Sequence, residues 1–340
     1  MANSAKPIRV AVIGLGYWGP NLVRNFAAAA GASLTALCDL NEDALTQQLA
    51  LYPGARGVRD ADEIIAAQDI DVVVVSTRPS ENYRLCKAAL EAGKHVFVCK
   101  PLSQNPEEAL ALAELAEQRN LVLHTDLTFL YTPSVRKLRD ILDSAICGEL
   151  NYIESTRTQA PWRADINVVW DLVPHDVAIL GHVLGQVPVE VSAHFAARRL
   201  TGVEHAAFVV LRYENGLWAR LNLNWLGPEK VRRMVYCGDQ GSVVYDEMES
   251  EKKLRIYRGG FGIGGKNDTE QLTTQYRSDG VETPALSGEE VLALECREFL
   301  NAAATGGKTL SSGIEGYRNS LVCAAIDRSL TEDGRAITID

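Results

Sequence analysis

A chain of 340 residues is long enough for two domains, and 46% hydrophobic with 23% charged residues is the balance of an ordinary globular protein. Its 44 acidic against 34 basic side chains leave a net charge of −10, which argues against a nucleic-acid partner because a phosphate backbone needs a basic face. No stretch approaches the ~20 apolar residues of a membrane span, and the polar lead-in 1–7 lacks a hydrophobic signal region, so a cytoplasmic protein without a membrane partner is expected.

The first apolar run, 8–13, is too short for a helix and rich in β-branched residues, which predicts a strand buried on both faces. It leads into Gly14-Leu15-Gly16-Tyr17-Trp18-Gly19, three glycines at G-x-G-x-x-G spacing. In a dinucleotide site Gly14 allows the tight turn, Gly16 clears the approach of the pyrophosphate, and Gly19 lets the next helix lie close to the strand. That helix, 22–30 with Gly31 as its stop, would present unpaired N–H groups to the phosphates. A second strand, 33–38, ends at Asp39, close to the spacing expected for an acid that accepts hydrogen bonds from the adenosine ribose. Its carboxylate would repel a 2′-phosphate, and the next residues, Leu40-Asn41-Glu42-Asp43, bring no Arg or Lys, so NAD is preferred over NADP. The competing reading, that Asp39 only caps the next helix, is weakened because Asn41 or Asp43 could do that.

Helix and strand then alternate with short links: helices 41–51 and 60–67, the valine strand 71–76, helix 81–92 closed by Gly93, strand 95–99, helix 106–119 and strand 121–125. That pattern predicts a doubly wound parallel α/β domain over 1–125, with ligands beyond the C-terminal strand ends. Two such ends stand out. Ser76-Thr77-Arg78-Pro79-Ser80-Glu81-Asn82 should lie near the nicotinamide half of the cofactor. Cys99-Lys100-Pro101 would point a cation, on a turn stiffened by proline, to where a hydride moves; the bland alternative is a solvated loop lysine. The expected cofactor contacts are the three glycines with Tyr17 and Trp18, Asp39 with Leu40, and Ser76, Thr77, Pro79, Asn82, Cys99 and Lys100.

Beyond 125 the pattern changes. Strands at 150–158, 189–198, 206–213, 217–225, 232–237, 242–246 and 254–257 predict an open, mainly antiparallel sheet, and 126–340 reads as an α+β substrate-binding domain. Helices at 133–144, 174–184, 288–304 and 313–329 should cover one face, with packing of the last ones on the first domain as an alternative. The bare face then calls for a second copy, as a homodimer or homotetramer. The glycine-rich 259–265 reads as a mobile loop.

Trp170-Asp171-Leu172-Val173-Pro174-His175-Asp176 reads as a helix start, since proline is tolerated in a first turn, with Asp171 and His175 sharing a face at i and i+4. A carboxylate beside an imidazole fixes its tautomer and supports its protonated form, which makes a held general base. The alternative is a capping Asp and a core histidine. His175 and His182 lie about 10.5 Å apart along one helix, too far for ligand bonds of about 2 Å to a single ion, so no metal is expected. Trp162, Arg163 and Asn167 are candidate substrate contacts, an Arg suiting a carboxylate or diphosphate, although Arg163 could merely pair with Asp165. Tyr131 could enter the pocket or simply pack. The seven cysteines are scattered without a C-x-x-C pair, so neither a zinc ribbon nor a dithiol is expected, and most should be small buried hydrophobes in a reducing compartment.

Taken together, Gly14-Leu15-Gly16-Tyr17-Trp18-Gly19, Ala92-Gly93-Lys94-His95-Val96-Phe97-Val98-Cys99-Lys100-Pro101 and Asp171-Leu172-Val173-Pro174-His175-Asp176 resemble the glucose-fructose oxidoreductase / inositol dehydrogenase / rhizopine catabolism family over nearly the whole chain. The resemblance implies an NAD(P)-dependent oxidoreductase acting on a secondary alcohol of a sugar or cyclitol, with Lys100, Asp171 and His175 lining the substrate beside the nicotinamide. The nucleotide-sugar branch is similar at Tyr17-Trp18-Gly19-Pro20-Asn21 and Trp170-Asp171-Leu172. Two departures stand against the family pattern. Cys99 replaces the glutamate before the lysine, which removes any role of that carboxylate and puts a potentially reactive thiol beside a cation. Asn82 replaces a histidine common in the turn after the fourth strand. Two other functions remain open at this level: a non-catalytic sensor of the co-repressor kind, and NAD-dependent glycoside cleavage through a transient ketone.

Overall fold

Six strands of the computed structural model, β1 (Ile8–Ile13), β2 (Ala32–Cys38), β3 (Arg56–Val58), β4 (Val72–Val75), β5 (His95–Cys99) and β6 (Leu123–Asp126), form a parallel sheet in the order β3-β2-β1-β4-β5-β6. Strand order reverses between β1 and β4, and α/β sheets bind their ligands outside the carboxyl ends at such a switch point. All four valines of β4 are buried, because helices lie on both faces: α1 (Gly19–Ala28), α2 (Glu42–Leu51), α3 (Ala61–Ala66), α4 (Pro79–Glu91) and α5 (Pro106–Gln118). The structure describes residues 6–161, 166–195, 204–259, 261–262, 275–276 and 280–339. Trp162, Arg163, the end of the expected strand 189–198 and most of the glycine-rich stretch 259–265 lie outside them.

A short 3-10 helix (Thr128–Tyr131) and α6 (Pro133–Asp143) lead into β7 (Leu150–Thr158) and α7 (Val168–Leu184). There follow β8 (Glu190–Phe195), β9 (Ala206–Arg212), β10 (Trp218–Asn224), β11 (Arg232–Gly238), β12 (Gly241–Asp246), β13 (Leu254–Arg258), β14 (Phe261–Gly262), β15 (Gln275–Tyr276) and β16 (Val281–Glu282), then α8 (Val291–Thr305), α9 (Gly313–Thr331) and β17 (Ile337–Thr338). Nine of these strands make a second sheet in the order β16-β13-β12-β11-β7-β10-β9-β8-β17. β10 pairs with β7 in parallel, and the other neighbours pair antiparallel. Alternation gives this sheet one buried face: Ala219, Leu221 and Leu223 of β10 point inward, and α7 packs on β9 and β10.

The chain divides into two compact units, Met1–Tyr131 with Glu289–Leu321, and Thr132–Gly288 with Val322–Asp340. Of the two placements expected for the last helices, α8 takes the alternative: it belongs to the first unit. Its Leu292, Cys296 and Phe299 fall on one helical stripe and are buried in the same core as Val10, Val12, Phe26 and Phe97. Phe299 meets Phe97 and Phe26 edge-on at centroid distances of 5.4 and 6.1 Å.

Candidate active site

The glycine loop is built as its spacing requires. Gly14 has φ +94°, and a Cβ there would run into the Ser76 carbonyl at the end of β4; one on Gly19 would run into the Gly14 carbonyl. Around Gly16 a Cβ would meet nothing within 4 Å, so this is the open side of the loop. α1 starts at once, with Trp18 at its N-cap making no side-chain cap bond; within the first turn Pro20 brings no N–H and Asn21 N donates to Trp18 O at 3.0 Å. Open backbone, a helix N-terminus and an adjacent acid fit a dinucleotide pyrophosphate and ribose.

Asp39 ties this loop to the second strand. Its Oδ2 accepts from Leu15 N at 2.6 Å and its Oδ1 from Asn41 N at 2.7 Å, while Asn41 itself caps α2. The capping reading of Asp39 is thereby displaced. Leu40 and Tyr17 are 80% and 88% exposed, two apolar side chains flanking the loop. A cation does stand here, supplied from outside the Leu40–Asp43 stretch: Arg59 Nη2 donates to the Leu40 carbonyl at 3.1 Å and Nη1 lies 3.5 Å from Glu42.

At the next strand ends, Ser76 N donates to Ile13 O at 2.8 Å, and Pro79 opens α4 in its first turn. Asn82, 1% exposed, donates through Nδ2 to the carbonyls of Cys99 (3.0 Å) and Pro101 (2.7 Å), and Thr77 Oγ1 reaches its Oδ1 at 3.4 Å. It therefore brackets half-buried Lys100 from both sides, across a cis Lys100–Pro101 peptide. The departure from the family's histidine has become a clamp on the lysine turn. Burial, and then the neighbouring Asp126, push the Cys99 thiol well above its usual range, which disfavours the thiolate that a reactive cysteine needs.

Tyr131 is corrected as a substrate contact. It is fully buried, its hydroxyl 3.1 Å from Ser311 Oγ and accepting from Ser311 N at 3.3 Å. Ser311 also touches His124, whose Nε2 lies 3.0 Å from Glu295 Oε1 with both side chains fully buried. Burial pulls the imidazole down to about 3 and pushes the Glu295 carboxyl well up, so the charged form of each partner is disfavoured.

In the second unit, α7 begins earlier than expected. Asn167 is the N-cap, accepting from Val169 N and Trp170 N at 3.1 Å each and donating to Asp327 at 2.8 Å. Pro174 therefore sits inside the helix rather than in its first turn. The proline rule chose the wrong end because an Asn cap followed by buried Val168 and Val169 starts a helix more strongly. Asn167, expected as a substrate contact, has both polar atoms engaged in this cap. Asp171 and His175 remain one turn apart and half-buried. Asp171 Oδ2 accepts from Trp225 Nε1 at 2.9 Å. The next residue, Asp176, is fully buried and held by Arg157 Nε at 2.8 Å and Ser155 Oγ at 2.9 Å, both from β7. These bonds fix the rotation of α7 about its axis and so the direction of its Asp171/His175 face.

Asp126, Trp225 and the Arg157–Asp176 pair were not identified from sequence, and Asn82 was read as a cofactor contact rather than as a holder of the lysine turn. Only Asp176 carried a signal, as an acid next to the candidate base.

Residues 8–127 match a family model described as an oxidoreductase family with an NAD-binding Rossmann fold, and residues 135–244 match a GFO/IDH/MocA C-terminal domain. The chain is 29% identical over 315 residues to a UDP-N-acetylglucosamine 3-dehydrogenase of Acidithiobacillus ferrooxidans, covering 92% of this chain and 93% of that one. It is 26% identical over 345 residues to inositol 2-dehydrogenase 2 of Paenarthrobacter aurescens, covering 96% and 97%. A crystal form of the Acidithiobacillus ferrooxidans enzyme superposes with a TM-score of 0.81 at 25% identity, covering 96% of this chain and 98% of that one.

Proposed function

The chain belongs to the GFO/IDH/MocA oxidoreductase family, and from that membership we propose that it moves a hydride between a nicotinamide dinucleotide and a secondary alcohol or ketone of a sugar, nucleotide sugar or cyclitol. The observation that carries this reading is that one chain keeps all three groups the chemistry asks for: Lys100 on a clamped turn, and Asp171 and His175 one helical turn apart. When bound, NAD supplies the hydride acceptor at nicotinamide C4. His175 takes the proton of the substrate hydroxyl, Asp171 stabilises the imidazolium that forms, and Lys100 stabilises negative charge developing on the oxygen. In the opposite direction His175 is the acid that protonates a ketone oxygen. A sensor has no use for this trio.

The nucleotide-sugar class is favoured by the near full-length likeness to a UDP-N-acetylglucosamine dehydrogenase. Trp162 and Arg163 serve as its contacts, the guanidinium suiting a diphosphate. NAD is favoured over NADP because Asp39 and Glu42 put two carboxylates at the ribose end, and Arg59 is engaged with Glu42 and Leu40. All seven cysteines are free, which suits a reducing, cytoplasmic setting. Tyr152, Phe208 and Trp218, on the adjacent strands β7, β9 and β10, are 45 to 51% exposed, and they support a homodimer or homotetramer formed through this sheet face.

A thermal-shift series tests the reading, because a ligand bound only by the folded state raises Tm by mass action. NAD should raise Tm more than NADP, and a UDP-sugar should add a further rise with NAD present. No shift with any of them contradicts it.

A further inference from the structure

Trp18 stands where a helix ordinarily places Ser, Thr, Asp or Asn. It is the N-cap of α1, with helical rather than extended backbone angles and no cap bond from its side chain. Its indole Nε1 donates instead to Asp126 Oδ2 at 2.6 Å, 108 residues further along the chain. Asp126 is the last residue of β6 and 5% exposed. Its other oxygen accepts from the Thr128 hydroxyl. The thiol of Cys99, its register partner on β5, lies 3.8 Å from the oxygen that Trp18 reaches. Burial pushes this carboxyl up, and the Thr128 and Trp18 donors oppose that shift.

We propose that Asp126 is a positioning residue for the dinucleotide: through Trp18 it fastens the glycine loop to the end of β6, so that the loop and the N-terminus of α1 are aimed before the phosphates arrive. The inference rests on the dinucleotide reading above. It also accounts for Cys99. A glutamate at 99 would stand in register beside Asp126, two buried like charges on neighbouring strands, whereas the cysteine offers that carboxylate a weak donor. The acid at this corner of the sheet therefore comes from β6, and β5 carries its partner.

The test is a double-mutant cycle on NAD affinity, measured by calorimetric titration of wild type, Trp18→Phe, Asp126→Ala and the double variant, with Tm recorded for each. Trp18→Phe keeps an aromatic side chain while removing the N–H with the pyrrole ring, so its own NAD affinity tests the bond even if Asp126→Ala folds poorly. Each single change should weaken NAD binding about tenfold, the scale of one hydrogen bond to a charged group. The double variant should be no weaker than the weaker single, since both remove the same bond. Losses that multiply, or a lowered Tm with unchanged NAD affinity in Trp18→Phe, overturn the inference. Wild-type protein that takes up neither NAD nor NADP overturns the dinucleotide reading itself, a result distinct from wild-type binding that the variants leave unchanged.

Discussion

Asn82 shows how a single buried amide can hold the turn that carries Lys100, the proposed catalytic cation. Its two donors go to the carbonyls flanking Lys100, so Asn82→Ala leaves two buried acceptors short, at about 1–3 kcal/mol each if nothing replaces them. Turnover should fall by about 10²-fold, the scale of an ångström of misplacement, with NAD affinity changing much less. Equal losses in both would deny it this role. Glu295 gives a pH signature. Its carboxyl is held well above the ordinary 4.5 when folded, so unfolding releases a proton once the pH passes that value, and stability falls as pH rises from there. Glu295→Gln carries no such proton, so its Tm advantage over wild type should widen upward from about pH 4.5; a constant gap rejects the neutral-acid assignment. At this scale the motifs that carry Lys100, Asp171 and His175 could be read because motifs are local. Asn82, Asp126 and Trp225 act on partners 17 to 108 residues away, and one sequence holds no record of such contacts.

Elements were legible where burial is two-sided or periodic. The valine strand and the glycine loop announced themselves, and the strands expected at 150–158, 206–213, 217–225, 232–237, 242–246 and 254–257 fell within a residue of their places. Strand β3 was missed because Arg56-Gly57-Val58 is neither apolar nor alternating, and β17 because two residues carry no period. α7 was misplaced at its start because the proline rule outweighed the asparagine cap. α8 was left between two placements, the second sheet and the first domain, since an amphipathic stripe says that a helix packs and not on what. Its stripe makes a sharp prediction: Phe299→Ala should cost about 3–5 kcal/mol, read as a lower midpoint in denaturant, because three edge-on ring contacts are lost from a fully buried site. A cost below about 1 kcal/mol would mean that α8 is not part of that core.

At the scale of the whole molecule, the first unit carries the glycine loop and the Lys100 turn held by Asn82, and the second carries Asp171 and His175 on α7. Sheet order in the second unit was beyond the sequence, because β7 lies between β11 and β10 and pairs far from its chain neighbours. Phe208→Asp with Trp218→Glu should turn the assembly into monomers in sedimentation without unfolding the chain, whereas an unchanged mass would move the interface elsewhere. The central claim, that Lys100 and His175 act on one hydroxyl, is tested most directly by turnover. Wild type, Lys100→Met and His175→Ala are mixed with NAD and a panel of nucleotide sugars and cyclitols, and reduced nicotinamide is followed by absorbance. The account predicts product from wild type and a loss of at least about 10²-fold in each variant, with NAD affinity retained. A variant that keeps full turnover would contradict it.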